Sequence, residues 1–210
     1  MKVLLVNGSP HEQGCTYTAL CEVAKELDKA GITTEIVSVG REAIRGCIAC
    51  GHCRQSADSH CILKDGSMVN TIIDKAKDAD GFVFGSPVHY AAASGALTTL
   101  LDRCFYAGGK HFAYKPGAAI MSCRRGGATA TFEQLNKYFT INNMPIVSSQ
   151  YWNMVHGNTP DEVRQDLEGL QTMRTLGRNM AWLLKCLQLG KDNGLDRPEG
   201  EVKVATNFIR

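Results

Sequence analysis

No apolar run in this chain approaches the ~20 residues that a membrane span requires. No Lys/Arg-rich run occurs either. The 23 Lys plus Arg are nearly balanced by 21 Asp plus Glu, so the net charge is only +2, which argues against nucleic-acid binding through bulk charge. The opening MKVLLVNGSP turns polar too early for a secretory signal. Internal repeats, low-complexity segments and Pro- or Ser-rich linkers are all lacking, which excludes collagen-like and disordered chains. What the 210 residues do contain is cysteine. There are nine, an odd count, and Cys47, Cys50, Cys53 and Cys61 fall within fifteen residues. Secreted disulfide scaffolds are shorter and spread their cysteines along the chain, so the expected compartment is a reducing cytoplasm.

Short apolar runs alternate with amphipathic stretches. Residues 2–6 are β-formers ending at Asn7-Gly8, and residues 16–30 carry apolar side chains at helical spacing before Gly31. Further strands are expected over 32–39, 81–85 and 117–122, with a fifth starting at 145–148. Helices are expected over 66–78, 94–106 and 129–141, with 46–61 irregular. Thr159-Pro160-Asp161-Glu162 supplies an N-cap, a proline in the first turn and a capping-box Glu for one last helix. The pattern predicts an α/β fold: a flavodoxin-like, doubly wound sheet of five parallel strands, order 2-1-3-4-5, with helices on both faces. Residues 1–189 form the expected domain, with the Cys-rich loop 46–61 inserted, and 190–210 a tail arm.

Ligands of such sheets sit beyond the carboxyl ends of the strands. After the first strand, the segment from Gly8 to Thr18 opens a helix, where unpaired N–H groups and the positive dipole end favour an anion. It is neither a Walker loop nor GxGxxG, so a terminal phosphate such as that of FMN fits better than a dinucleotide. An ordinary capped turn explains this loop alone equally well. After the third strand, Pro87, Val88, His89 and Tyr90 offer flat and apolar walls that suit a flavin ring. After the fourth, Arg124, Gly126 and Gly127 permit close backbone approach to the ring's polar edge.

Three stretches carry a resemblance: NGSPHEQGCTYTAL, DGFVFGSPVHYAAASGALTTLLDR and the RRGG turn, spread over roughly the first 150 residues. With them the chain resembles the NADPH-dependent FMN reductase family. The resemblance implies FMN held noncovalently and reduced by NAD(P)H. It places Ser9, His11, Cys15, Thr16 and Tyr17 at the phosphate. Pro87, Val88, His89 and Tyr90 would flank the ring, and Arg124, Gly126 and Gly127 would meet its edge. Two positions depart from the family pattern: Cys15 stands where Asn is usual, and His89 where Tyr is frequent.

Four thiolates spaced as Cys47-x2-Cys50-x2-Cys53-x7-Cys61 are a ligand set for a [4Fe–4S] cluster. The spacing resembles the iron–sulfur flavoprotein branch of the same family, in which the cluster exchanges single electrons with FMN. Zinc, with His52 or His60 as further ligands, and an empty thiol loop stay open as alternatives. Cys21, Cys104 and Cys186 fall on apolar helix faces, whereas Cys123 lies beside the expected ring. Trp152 and Trp182 are expected in the core or at an interface, and Asp102-Arg103 as an ion pair.

No paired carboxylates and no Ser/His/Asp set stand out, so no catalytic side chain is nominated. The function expected is an oxidoreductase passing electrons to a small-molecule acceptor or a ferredoxin-like protein, without nucleic acid or membrane, as a homodimer or homotetramer. A non-enzymatic electron carrier and a zinc- or thiol-switch module are the rival classes.

Overall fold

Alternation of side chains along the strands sets the architecture. The computed structural model describes residues 1–202, 204–206 and 208. Strands β1 (Lys2–Asn7), β2 (Thr33–Ser38), β3 (Gly81–His89), β5 (Gly117–Cys123) and β6 (Met154–His156) form a parallel sheet in the order β2-β1-β3-β5-β6. The two-residue β4 (Ala92–Ala93) folds back antiparallel on the end of β3. Without that hairpin the order is the expected flavodoxin-like one.

Leu4, Val6, Phe82, Phe84, Ala119 and Met121 point to one face. There α2 (Val69–Asp78), α3 (Gly95–Gly108) and α4 (Ala128–Ile141) cover them. Val3, Leu5, Val83, Ala118 and Ile120 point to the other, under α1 (Cys15–Lys29) and α6 (Leu167–Asp192). Period-two strands buried on both faces read as continuous apolar runs. Each such Phe, Leu or Ile contributes about 1.5–3 kcal/mol by leaving water.

Four sequence expectations need correction. The 145–148 segment makes only an isolated bridge, Gly117 to Ile146, and the edge strand forms instead at Met154–His156. The helix expected from 66 starts at Val69, because Ser67 donates from both its N–H and its hydroxyl to Asp65 Oδ1. The last helix is interrupted: α5 (Pro160–Gln165) stops at Asp166, whose carboxylate accepts from Gly169 N–H at 2.9 Å and caps α6. Helix α6 then runs to Asp192, into the expected tail; Lys203, Asn207, Ile209 and Arg210 of that tail lie outside the described residues.

The fourth correction concerns Asp102-Arg103, which is not an ion pair. Neighbours on a helix point about 100° apart and do not face each other. Asp102 accepts from the Tyr138 hydroxyl at 2.6 Å, while Arg103 turns inward to Asp65. Trp152 and Trp182 are half or more exposed, and Cys186 is exposed. Among the described residues, no helix is long and apolar enough to cross a membrane.

Candidate functional site

The carboxyl ends of β1, β3 and β5 lie side by side: Asn7 pairs with Gly85, and Pro87 with Ser122. Direct contacts join the three loops that follow. Gly8 N–H donates to the Gly85 carbonyl at 2.8 Å, and Ser94 Oγ donates to the Gly8 carbonyl at 2.7 Å. Thr16 and Ser122 share a hydroxyl hydrogen bond of 2.8 Å. Gly127 packs so tightly on the 88–91 turn that a Cβ there would stand 2.6 Å from Ala91 Cα.

Asn7, which sequence reasoning missed, shapes the first loop. It is fully buried, accepts from Ser9 N–H at 3.1 Å, and donates from Nδ2 to the Glu12 carbonyl at 3.2 Å. An Asn at a strand end before Gly-Ser-Pro is the available signal, since its side chain folds back on the backbone two residues on. Ser9 Oγ in turn accepts from His11 N–H at 3.1 Å. The N–H groups of Glu12, Gln13, Cys15, Thr16 and Tyr17 find no acceptor among the described residues. An acceptor-only dianion such as a phosphate ester fits that donor set. The side chains of Thr16 and Tyr17 are engaged elsewhere. The Thr16 hydroxyl is on Ser122, and Tyr17 meets Cys21 beside a groove shared with α5.

The β3–β4 turn is strained. Tyr90 and Ala91 both take positive φ, 48° and 59°, where two-residue hairpins favour Asn-Gly. The conformation holds Tyr90 entirely in solvent at the rim, with His89 exposed beside it. Such strain costs of order 1–3 kcal/mol per residue and persists where the surroundings impose it. Ala91→Gly is therefore expected to stabilise the fold by about 1 kcal/mol, read as a raised thermal midpoint. An unchanged or lowered midpoint would remove the strain argument. Arg124, Arg125 and Gly126 are exposed, and a Cβ on Gly126 would meet nothing within 4 Å.

The cysteine loop forms a second candidate site. Cys47, Cys50, Cys53 and Cys61 all line one cavity of about 330 Å³, to which α3 contributes the buried Arg103 and the exposed Tyr106. Ala49 (φ 53°) and Gly51 (φ 74°), either side of Cys50, turn the chain around it. Cys61 is the most firmly held: its N–H donates to Asn70 Oδ1 at 2.8 Å and its carbonyl accepts from Asn70 Nδ2 at 2.9 Å. The four cysteines line the same cavity, and among the described residues no three His, Cys, Asp or Glu side chains converge on a point that would hold an ion. His60 instead bonds Asp74, and His111 faces Ser59.

The other cysteines are not arranged as nucleophiles. Burial pushes the Cys15, Cys104 and Cys123 thiols up, and Cys104 is wholly enclosed. Raised values keep them as thiols, and the thiolate is the reactive form.

Comparison with known proteins bears on both sites. Residues 1–159 match the family model described as NADPH-dependent FMN reductase. An iron-sulfur flavoprotein of Methanocaldococcus jannaschii is 31% identical over 196 residues, covering 90% of this chain and 100% of that protein. One of Methanosarcina thermophila is 30% identical over 199 residues, covering 91% and 100%. Among solved structures, RosB with bound 8-demethyl-8-formylriboflavin-5'-phosphate superposes with a TM-score of 0.70 over 100% of this chain and 94% of that one. At 16% identity, that likeness shows the fold alone.

Proposed function

Because the chain belongs to the NADPH-dependent FMN reductase family, and is thereby an FMN-binding oxidoreductase of flavodoxin-like fold, we propose that it couples FMN at the strand ends to a [4Fe–4S] cluster in the cysteine loop. The observation that carries this reading is the cavity lined by all four cysteines. A single zinc needs four donors about 2.0–2.3 Å from one centre. A cluster of four irons takes its thiolates from around a larger body. Two relatives named iron-sulfur flavoproteins, at 31% and 30% identity, support the same reading.

When bound, FMN accepts hydride from a nicotinamide and a cluster carries single electrons, which is the chemistry that each group supplies. The protein's part is to hold and orient. The unpaired N–H groups of Glu12, Gln13, Cys15, Thr16 and Tyr17 hold the phosphate, with Ser9 and His11 fixing the loop. Pro87, Val88, His89 and Tyr90 wall the ring. Arg124 offsets negative charge at its edge, where Gly126 and Gly127 let the backbone come close. A hydride amounts to two electrons and one proton: electrons leaving singly through a cluster would release that proton to solvent at the exposed rim, and a quinone or nitro acceptor would take up protons with its electrons. The acceptor is a small molecule, such as a quinone or nitro compound, or a ferredoxin-like protein. The working form is a cytoplasmic homodimer or homotetramer.

Anaerobic purification with visible spectra and iron, sulfide and zinc assays tests this reading. The expected result is about one FMN per chain together with iron and sulfide. Cys50→Ser is expected to lose the iron and keep the FMN. A protein that stays flavin-free in excess FMN would overturn the flavin site, and zinc in place of iron would favour a thiol module. A loaded protein that leaves NADPH and NADH unoxidised would be an electron carrier.

A further inference from the structure

Arg103 is among the largest fully buried side chains, at 1% exposure. It lies on α3, and its donors are spent around the base of the cysteine loop. Nη1 donates to the Arg45 carbonyl at 3.0 Å, just before Cys47, and Nη2 to the Leu63 carbonyl at 3.3 Å, just after Cys61. Both Nη groups reach the Asp65 carboxylate. Those contacts suffice to close the loop. Nε makes a separate one: its N–H donates to Cys61 Sγ at 3.3 Å.

A guanidinium does not lose its proton in proteins, so a full positive charge is fixed beside the sulfur of one of the four cavity-lining cysteines. Burying such a charge is costly unless it is paired and hydrogen-bonded. Asp65, 17% exposed, supplies the pairing through the Nη groups, while also accepting from Arg45 N–H and Ser67. Among the described residues, the sulfur alone receives Nε–H. Hydrogen bonds and charge at ligand sulfurs set reduction potentials, because the reduced form places more negative charge on them.

Resting on the cluster reading above, we propose that Arg103 is the positioning residue of that site: its Nε–H aims Cys61 Sγ into the cavity and its charge raises the reduction potential of the cluster ligated there. Asp65 is the counterweight that limits the rise. The two residues therefore act in opposite directions on the potential, although both tie the loop.

The test is a dye-mediated anaerobic titration of the reconstituted wild type, Arg103→Gln, Arg103→Lys and Asp65→Asn. The cluster is followed by electron paramagnetic resonance, the flavin by its visible spectrum, and iron and sulfide are assayed on each sample. Arg103→Gln is expected to lower the cluster potential by about 59 mV, a tenfold shift in a one-electron equilibrium. Arg103→Lys, which keeps a charge without the planar donor, is expected to shift it less. Asp65→Asn keeps the guanidinium and removes its countercharge, so its potential is expected to rise. The flavin potential should stay put in all three.

A wild-type chain that takes up no iron and sulfide overturns the cluster reading and this role with it. A loaded wild type whose variants show no shift, or shifts of one sign, overturns the role of Arg103 alone. If Arg103→Gln loses its iron, the Lys and Asn variants carry the test. Loss of iron in all three would make Arg103 a structural tie only and overturn the proposal.

Discussion

Gly127→Ala is expected to release FMN from a protein that still folds, weakening the flavin at least tenfold, about 1.4 kcal/mol. Gly127 sits at φ 89°, where a side chain costs about 1–2 kcal/mol. Its new Cβ would stand 2.6 Å from Ala91 Cα, a backbone atom that no rotamer change can move. Overpacking of that kind costs about 1–3 kcal/mol more. The 88–91 turn must shift away, carrying Val88, His89 and Tyr90 with it. The effect is thus on the walls of the proposed ring site as well as on stability.

Gly126→Ala separates the two contributions. A Cβ there meets nothing within 4 Å. Stability should change by less than about 0.5 kcal/mol, while the methyl group stands in the space assigned to the ring's edge, so flavin affinity should still fall. Fluorescence titration of stripped protein gives affinity, and thermal melts give stability. A Gly127→Ala protein that binds FMN as tightly as wild type would detach the 124–127 turn from the ring. An unaffected Gly126→Ala would place the ring's edge elsewhere.

What the sequence conveyed, and what it hid, follows from the range of each interaction. Helices α1, α3 and α4 and strands β1, β3 and β5 are set by local periodicity and punctuation, and each falls within a few residues of expectation. The edge strand did not. Ile146 and Val147 have the composition of a strand, but Pro145 lacks an N–H and the chain leaves the sheet after one bridge, returning only at Met154. The break at Asp166 was masked by apolar spacing that continues on both sides of it.

The three rim loops were legible because topology alone brings strand ends together. Their internal bonds were not: Asn7 works through contacts four and five residues ahead, and the Tyr90-Ala91 turn runs against turn propensity. The cysteine spacing marks a candidate site, but its cavity is also lined by α3, some forty residues further on. Arg103 beside Asp102 invites a local pairing, whereas helix geometry sends the two side chains to different partners.

Asp65→Ala should cost up to about 3 kcal/mol, the lower end of the penalty for removing one partner of a buried ion pair, because Asp65 itself is 17% exposed. The cause is the partner left behind. Arg103 is 1% exposed and keeps its charge, while two carbonyls and a sulfur cannot neutralise it. Arg103→Met combined with Asp65→Ala is accordingly expected to be less destabilised than Asp65→Ala alone, because the stranded charge has gone. Recovery should be incomplete, since Asp65 also accepts from Arg45 N–H and from Ser67.

The same pair makes a pH prediction. The Arg103 guanidinium holds the Asp65 carboxyl well below the usual carboxylate range; Ser67 and the Arg45 N–H pull the same way, against burial. A depressed folded value means that the unfolded chain takes up the proton first. The stabilisation is therefore complete above the unfolded carboxyl value near 3.9 and disappears as pH falls below it toward the folded value. Glu22, Glu26, Glu35 and Asp74 are lowered by their own cationic partners and also contribute to acid sensitivity. The diagnostic quantity is thus the difference between wild type and Asp65→Ala in urea unfolding, followed from about pH 6 downward. That difference should be flat at the upper end and shrink once the pH passes below the unfolded carboxyl value. A gap that stays constant into acid would mean that Asp65 acts through packing and not through its charge on Arg103.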